Sequence, residues 1–213
     1  MVDVADEVFA PLIAQSRKRF VVRTKTFFSI KPLRGKRATR KRMLKYLVDA
    51  ESIHRPYKAL VISGHGSQGR VYAQNNNTLI SVNDSTDMLY AIASDRKVYI
   101  CSCETMGHKG SNTSSPLAQK LLRQGAQAVM GFTQSPKIMH NTSAAIWLWE
   151  SFDIDLIASI ISDQPIKIIR QLRDQYIMKA ENLKTYLLET EQKDVNNFIE
   201  VLNTMIITCK QGV

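Results

Sequence analysis

The chain has 213 residues, of which 44% are hydrophobic and 23% charged, enough to bury a sizeable core in a domain of ordinary composition. No run of about 18 apolar residues appears, and the opening MVDVADEVFAPLIAQS lacks the basic-then-apolar plan of a signal peptide, so a soluble, cytoplasmic protein with no membrane contact is expected. The three cysteines, Cys101, Cys103 and Cys209, are an odd set whose first two are too close along an extended chain to pair, which argues against a disulfide framework.

The net charge of +10 is local: residues 17–45 hold 13 Lys or Arg and no acid, against 16 basic and 19 acidic residues elsewhere. Such a stretch is either a surface for nucleic acid or an acidic partner, or the solvated face of a helix and its approach. No aromatic platform or nucleic-acid motif accompanies it.

In chain order, residues 1–19 are an N-terminal segment, and FVVRTKTFFSI at 20–30 is a strand stopped by Pro32 and Gly35. Thr39–Ala50 places Met43, Leu44, Leu47 and Val48 on one helical stripe. KALVISGHG is a continuous apolar run reaching Gly64, the pattern of a strand buried on both faces of a parallel sheet. RVYAQNNNTLISVND is a hairpin turning at Asn75–Asn77, and a helix follows, capped near Asp84 or Ser85. KVYICSC is the next apolar strand. Pro116 opens a helix that stops at Gly125, and AQAVMGF is a third strand.

From about Lys137 the chain reads as helices: HNTSAAIWLWESF, then PIKIIRQLRDQYIMKAENLKTYLLETEQ, then DVNNFIEVLNTMIITC, with Trp147, Trp149, Ile166, Ile169, Leu172 and Tyr176 as core residues. The alternation of strands and helices predicts an α/β three-layer sandwich with a mostly parallel sheet and a helical C-terminal segment. In such sheets ligand sites gather outside the carboxyl ends of the strands, where His65 and Cys103 fall.

A cysteine peptidase needs a thiolate, a base that takes and returns a proton, and donors for the oxyanion. Cys103 follows VYICS as the chain leaves the sheet, and His65 leaves the preceding apolar strand in the same direction. The imidazole then serves as general base, or the pair rests as thiolate and imidazolium. Gly64 permits a sharp exit from the strand, and the Gly66 amide, with that of Cys103, is available for an oxyanion hole.

ALVISGHG, VYICSCET and SSPLAQKLLRQGAQAVMGF together resemble the caspase-like cysteine peptidases of clan CD, most nearly the bacterial CHAT domains, over about residues 24–175. The resemblance implies a caspase-like domain over 20–165 with C-terminal helices at 166–213, a protein or peptide substrate, no cofactor, Cys103 as nucleophile, His65 as base and the Gly66 amide as second oxyanion donor. It also implies gating by a protein partner, for instance a helical-repeat protein in a bacterial defence complex. Cys101 matches a position that lines the primary specificity pocket, with a role as the nucleophile as the alternative. Asp84, Asp87 and Glu104 are candidates for recognising a basic substrate side chain, or are merely solvated carboxylates. The family begins with a strand and helix for which little chain remains before residue 20, so the sheet is expected to be shortened or completed by a partner.

Other readings remain. A Cys-rich metal site would draw on Cys101, Cys103, His108 and His65, but lacks the Cys-x-x-Cys clasp. A catalytically inactive interaction module, binding nucleic acid or an acidic partner through residues 17–45, is the other class. His54, His108 and His140 read as surface or loop residues.

Overall fold

The computed structural model describes residues 2–3, 33–67, 69–73, 77–102, 104–107, 115–133 and 142–209. The strand expected at 20–30 and the part of the basic stretch before residue 33 lie outside them. In chain order the elements are β1 (Val2–Asp3), β2 (Leu33–Arg34), α1 (Arg40–Ser52), β3 (Ala59–Ser63), β4 (His65–Ser67), β5 (Arg70–Tyr72) and β6 (Thr78–Ser81). They continue with α2 (Thr86–Ala93), β7 (Lys97–Cys101), α3 (Pro116–Arg123), β8 (Ala128–Phe132), α4 (Ser143–Ile161), α5 (Ile166–Lys184), α6 (Glu189–Asn203) and β9 (Met205–Cys209).

The three helices on one side of the sheet start where the sequence supplies a capping oxygen. Thr39, Ser85 and Ser115 sit at the N-caps of α1, α2 and α3, and each side chain accepts from a backbone N–H three residues on. Pro116 adds its preset φ at the first position of α3.

Six strands form one sheet in the order β2-β1-β3-β7-β8-β9, parallel throughout except for the β8–β9 pair. Side chains alternate across it. Leu60, Ile62, Val98, Ile100 and Val129 enter a core with Met43 and Leu47 of α1, Leu89 and Ile92 of α2, and Leu117 and Leu121 of α3. Val61, Tyr99, Cys101, Met130 and Phe132 enter a second core with α4, α5 and α6. Helices therefore cover both faces. The second core is built on edge-to-face rings around Trp149, which meets Phe198 at 5.0 Å and Phe132 at 6.2 Å between centroids. β4, β5 and β6 make a separate antiparallel ribbon that grows directly out of β3.

Three readings of the sequence need correction. The last segment is not helical to its end: α6 stops at Asn203, and MIITC forms β9, pairing antiparallel with β8 from Phe132↔Met205 to Ala128↔Cys209. Three β-branched residues in a row, Ile206, Ile207 and Thr208, favour the pleated edge over another helical turn. The sheet's β1 is short, two described residues that pair parallel with both β2 and β3, in keeping with the shortened sheet that the sequence allows. Trp147 is exposed while Trp149 is buried, because two residues along a helix turn the side chain to the opposite face. Val48 is likewise exposed, and α1 buries Met43, Leu47 and Ala50 instead.

The amino end of the sheet is held by buried cations. Arg96 is 0% exposed; it donates to the Tyr57 and Ala91 carbonyls at 2.9 and 2.6 Å and pairs with Glu51 of α1. Lys97, also buried, pairs with Asp163 and donates to the Gln164 carbonyl at 2.9 Å. Among the described residues no helix is long and apolar enough to cross a membrane. Arg96→Met strands two carbonyls, whereas half-exposed Glu51 regains water. The expected loss is about 2–4 kcal/mol, or roughly 5–15 °C in Tm, and Glu51→Gln, which leaves buried Arg96 without its carboxylate, is expected to cost a comparable amount; thermal denaturation of the two variants checks both.

Candidate active site

β3 and β7 run parallel with Ser63 opposite Cys101, and the Gly64 N–H donates to the Cys101 carbonyl at 3.2 Å. Each strand then ends, two residues short of His65 on one and of position 103 on the other. Because neighbouring strands lie about 4.8 Å apart, the two exits start side by side. The strand order reverses between β1 and β3, the crevice in which open α/β sheets bind ligands, so the β3 exit borders that crevice and the β7 exit lies one strand further on.

His65 is exposed at the start of β4, across from Tyr72 of β5, and Gly66 is half-buried beside it. Gly69, at φ +83°, turns the ribbon under Val82 and Leu117. Cys103 lies outside the described residues, but the residues on both sides of it are fixed. Ser102 is buried, with its Oγ 3.1 Å from Thr105 Oγ1. Thr105 also donates to the Ser102 carbonyl at 3.4 Å. Glu104 adopts φ 49°, a conformation that costs a non-glycine residue about 1–3 kcal/mol. Met106, fully buried, bonds through its N–H to the Phe132 carbonyl at 3.3 Å and lies over Gly131, where an added Cβ would stand 2.5 Å from Met106 Cγ. The turn at residues 104–107 is thus clamped from β7 and from β8.

The remaining candidates fall in different places. Cys101 is 2% exposed, packed with Val61, Tyr99 and Phe132 beneath the turn, so in this conformation it offers a substrate no surface. Asp84 is committed elsewhere: it pairs with Arg40 at 3.0 Å and accepts from the Ser81 N–H at 2.7 Å, tying the ribbon to α1. Asp87 is exposed in the first turn of α2, and Glu104 is exposed at the turn itself. Of the basic stretch, Lys36, Arg37, Lys41 and Arg42 are exposed, whereas Arg40 also donates to the Leu79 carbonyl and is structural.

His54 is exposed after α1; His108 and His140 lie outside the described residues. Among the described residues no three His, Cys, Asp or Glu side chains gather as a metal site. A cleft of about 720 Å³ opens at the opposite, amino end of the strands. Its polar lining is committed, with Asp95 bound by Lys58 and Gln127 and Lys97 by Asp163. The Lys58 and Gln127 bonds hold the Asp95 carboxyl below its ordinary range.

Sequence reasoning missed the ribbon face beside His65. Ser67, Arg70 and Tyr72 share that face with it, and only the R-V-Y alternation at 70–72 hints at this, with Val71 turned to the core. Compared with known proteins, the chain matches no protein-family model and no curated sequence.

Two substitutions probe the frame of the site. Gly131→Ala drives a methyl against Met106 and the Ile100 carbonyl and is expected to cost about 1–3 kcal/mol, read as a lower denaturation midpoint. Asp84→Ala frees Arg40 and the Ser81 N–H and is expected to lose about 1–3 kcal/mol in the same measurement.

Proposed function

We propose that this chain is a caspase-like cysteine peptidase of the CHAT type, with Cys103 as nucleophile and His65 as its acid–base partner. The observation that carries the reading is the Ser63↔Cys101 register with its Gly64–Cys101 hydrogen bond, which starts the histidine and cysteine segments side by side at the carboxyl end of a parallel sheet. The clamped turn that follows, with Glu104 in the left-handed region, is a second support, because strained backbone is concentrated at functional sites.

In the proposed reaction the Cys103 sulfur, as thiolate, attacks the peptide carbonyl carbon, and the carbonyl oxygen takes the negative charge. The Gly66 and Cys103 amides receive that charge. When the C–N bond breaks, imidazolium His65 gives its proton to the leaving amine, and an acyl-thioester remains on Cys103. Neutral His65 then takes a proton from water, whose oxygen attacks the thioester and releases the acid and the thiol. No cofactor enters. His65 has the exposure this requires, since a proton carrier must reach both the thiol and water. Cytoplasmic placement and gating by a partner protein belong to the same proposal.

A thiol-directed acyloxymethyl-ketone probe tests it. Mass spectrometry is expected to find one adduct, on Cys103, absent in Cys103→Ala and formed at least about 100-fold more slowly in His65→Ala, while buried Cys101 stays unmodified. An adduct at Cys101, or labelling indifferent to His65, would sink the dyad. No labelling at all, with or without cellular partners added, would leave a non-catalytic interaction module in its place.

A further inference from the structure

The ribbon that His65 opens carries more than the base. β4 and β5 pair with His65 opposite Tyr72, Gly66 opposite Val71 and Ser67 opposite Arg70. Alternation puts His65, Ser67, Arg70 and Tyr72 on one face. Val71, 0% exposed, shows that the other face is the one on the core. His65 and Arg70 are exposed; Ser67 and Tyr72 are half-buried. Opposite residues on such a ribbon stand about 5 Å apart at Cβ and diagonal ones about 7–8 Å, so the long Arg70 side chain reaches the space in front of His65.

This face is ordered and positively charged. Ser67 Oγ and Tyr72 Oη lie 3.1 Å apart, which fixes the phenol beside the imidazole position. The Ser67 hydroxyl, and after it the Arg70 guanidinium, hold the Tyr72 phenol below its ordinary range against the upward effect of desolvation. Arg40, Arg96 and Arg173 are each tied to a carboxylate. Among the described residues no carboxylate pairs with Arg70. A planar fork of N–H donors flanked by two hydroxyls is the donor set that recognises a carboxylate.

The side of the substrate follows from the chemistry. A group that protonates the leaving amine must stand beside it, so the segment on the amine side of the cleaved bond passes His65 and the ribbon face. We propose that His65, Ser67, Arg70 and Tyr72 frame a carboxylate-binding subsite for the leaving segment, selecting peptides that are acidic just after the cut. The orientation rests on the peptidase reading; the carboxylate site does not.

The carboxylate comes from an Asp or Glu side chain or from a peptide C-terminus, and the test separates them. Full-length protein carrying Cys103→Ala, which cannot turn substrate over, is titrated with fluorescent random-hexapeptide pools holding one fixed Glu, Gln or Lys, each as free acid and as C-terminal amide. Anisotropy is expected to show the Glu pool binding at least about tenfold tighter than the Gln pool, weakening with salt. Arg70→Gln should erase the difference and Arg70→Glu should turn the preference to the Lys pool. Loss of binding on amidation, with Glu and Gln alike as free acids, assigns the site to the terminal carboxylate. Equal binding of all pools, no binding, or a preference indifferent to Arg70 overturns the proposal. Sequencing the products of the same pools with unmutated protein places the acid relative to the cut: acid before the cut overturns the subsite and leaves the peptidase standing. Acid-selective, Arg70-dependent binding without cleavage or probe labelling removes the peptidase and leaves the carboxylate site.

Discussion

The pairing of β3 with β7 is the constraint on which the rest of this structure depends. Parallel strands deliver their carboxyl ends to the same side, and the register Ser63↔Cys101 decides which residues leave the sheet together. A slip of one residue would exchange the faces of Leu60 and Val61, and of Val98 and Tyr99. Both faces resist that exchange, because one is packed on α1, α2 and α3 and the other on α4, α5 and α6. At the amino end the Lys97 N–H donates to the Lys58 carbonyl at 3.0 Å and Arg96 reaches the Tyr57 carbonyl, so the register is pinned there as well.

Charge is distributed along the strands in a way that separates support from chemistry. At the amino end two cations are buried and both are committed: Arg96 to Glu51 and two carbonyls, Lys97 to Asp163 and a carbonyl. Removing ions from water costs several kcal/mol apiece, so that end behaves as a fixed frame, and the charged groups lining the cleft, Asp95, Lys97 and Asp163, are paired. At the carboxyl end the balance is reversed. His65, Arg70 and Glu104 are exposed, while Asp84, an acid that the sequence offers for substrate recognition, is absorbed by Arg40.

Much of this was legible in the residues. Thr39, Ser85 and Ser115 announce their helices through short side chains that compete for backbone N–H groups, and the runs at 59–63, 97–101 and 128–132 announce strands buried on both faces. What was not legible depends on distant partners. HGS at 65–67 has no apolar alternation and becomes a strand only because Arg70–Tyr72 folds back on it. Val2–Asp3 is too short to signal anything and owes its conformation to β2 and β3. MIITC carries a β-branched run, yet it follows a helix closely enough that the helical period of α6 masks the change. Trp147 and Trp149 differ in burial for a reason of helix phase that composition cannot express.

The turn at residues 104–107 shows how a local strain is held by the whole fold. Glu104 in the left-handed region costs about 1–3 kcal/mol, and the compensating contacts come from three directions: Ser102 and Thr105 within the turn, the Phe132 carbonyl on Met106, and the missing Cβ of Gly131 that lets Met106 sit. Phe132 in turn stacks edge-on with Tyr99 and Trp149, and β8 is itself backed by β9. The edge of β9 is closed by α5, where Arg170 donates to the Ile207 carbonyl at 3.3 Å and Arg173 to that of Met205 at 3.5 Å. The geometry of the turn therefore depends on the last strand of the chain, some 100 residues away. A segment that sequence inspection assigns to a helix is in this way part of the floor beneath that turn.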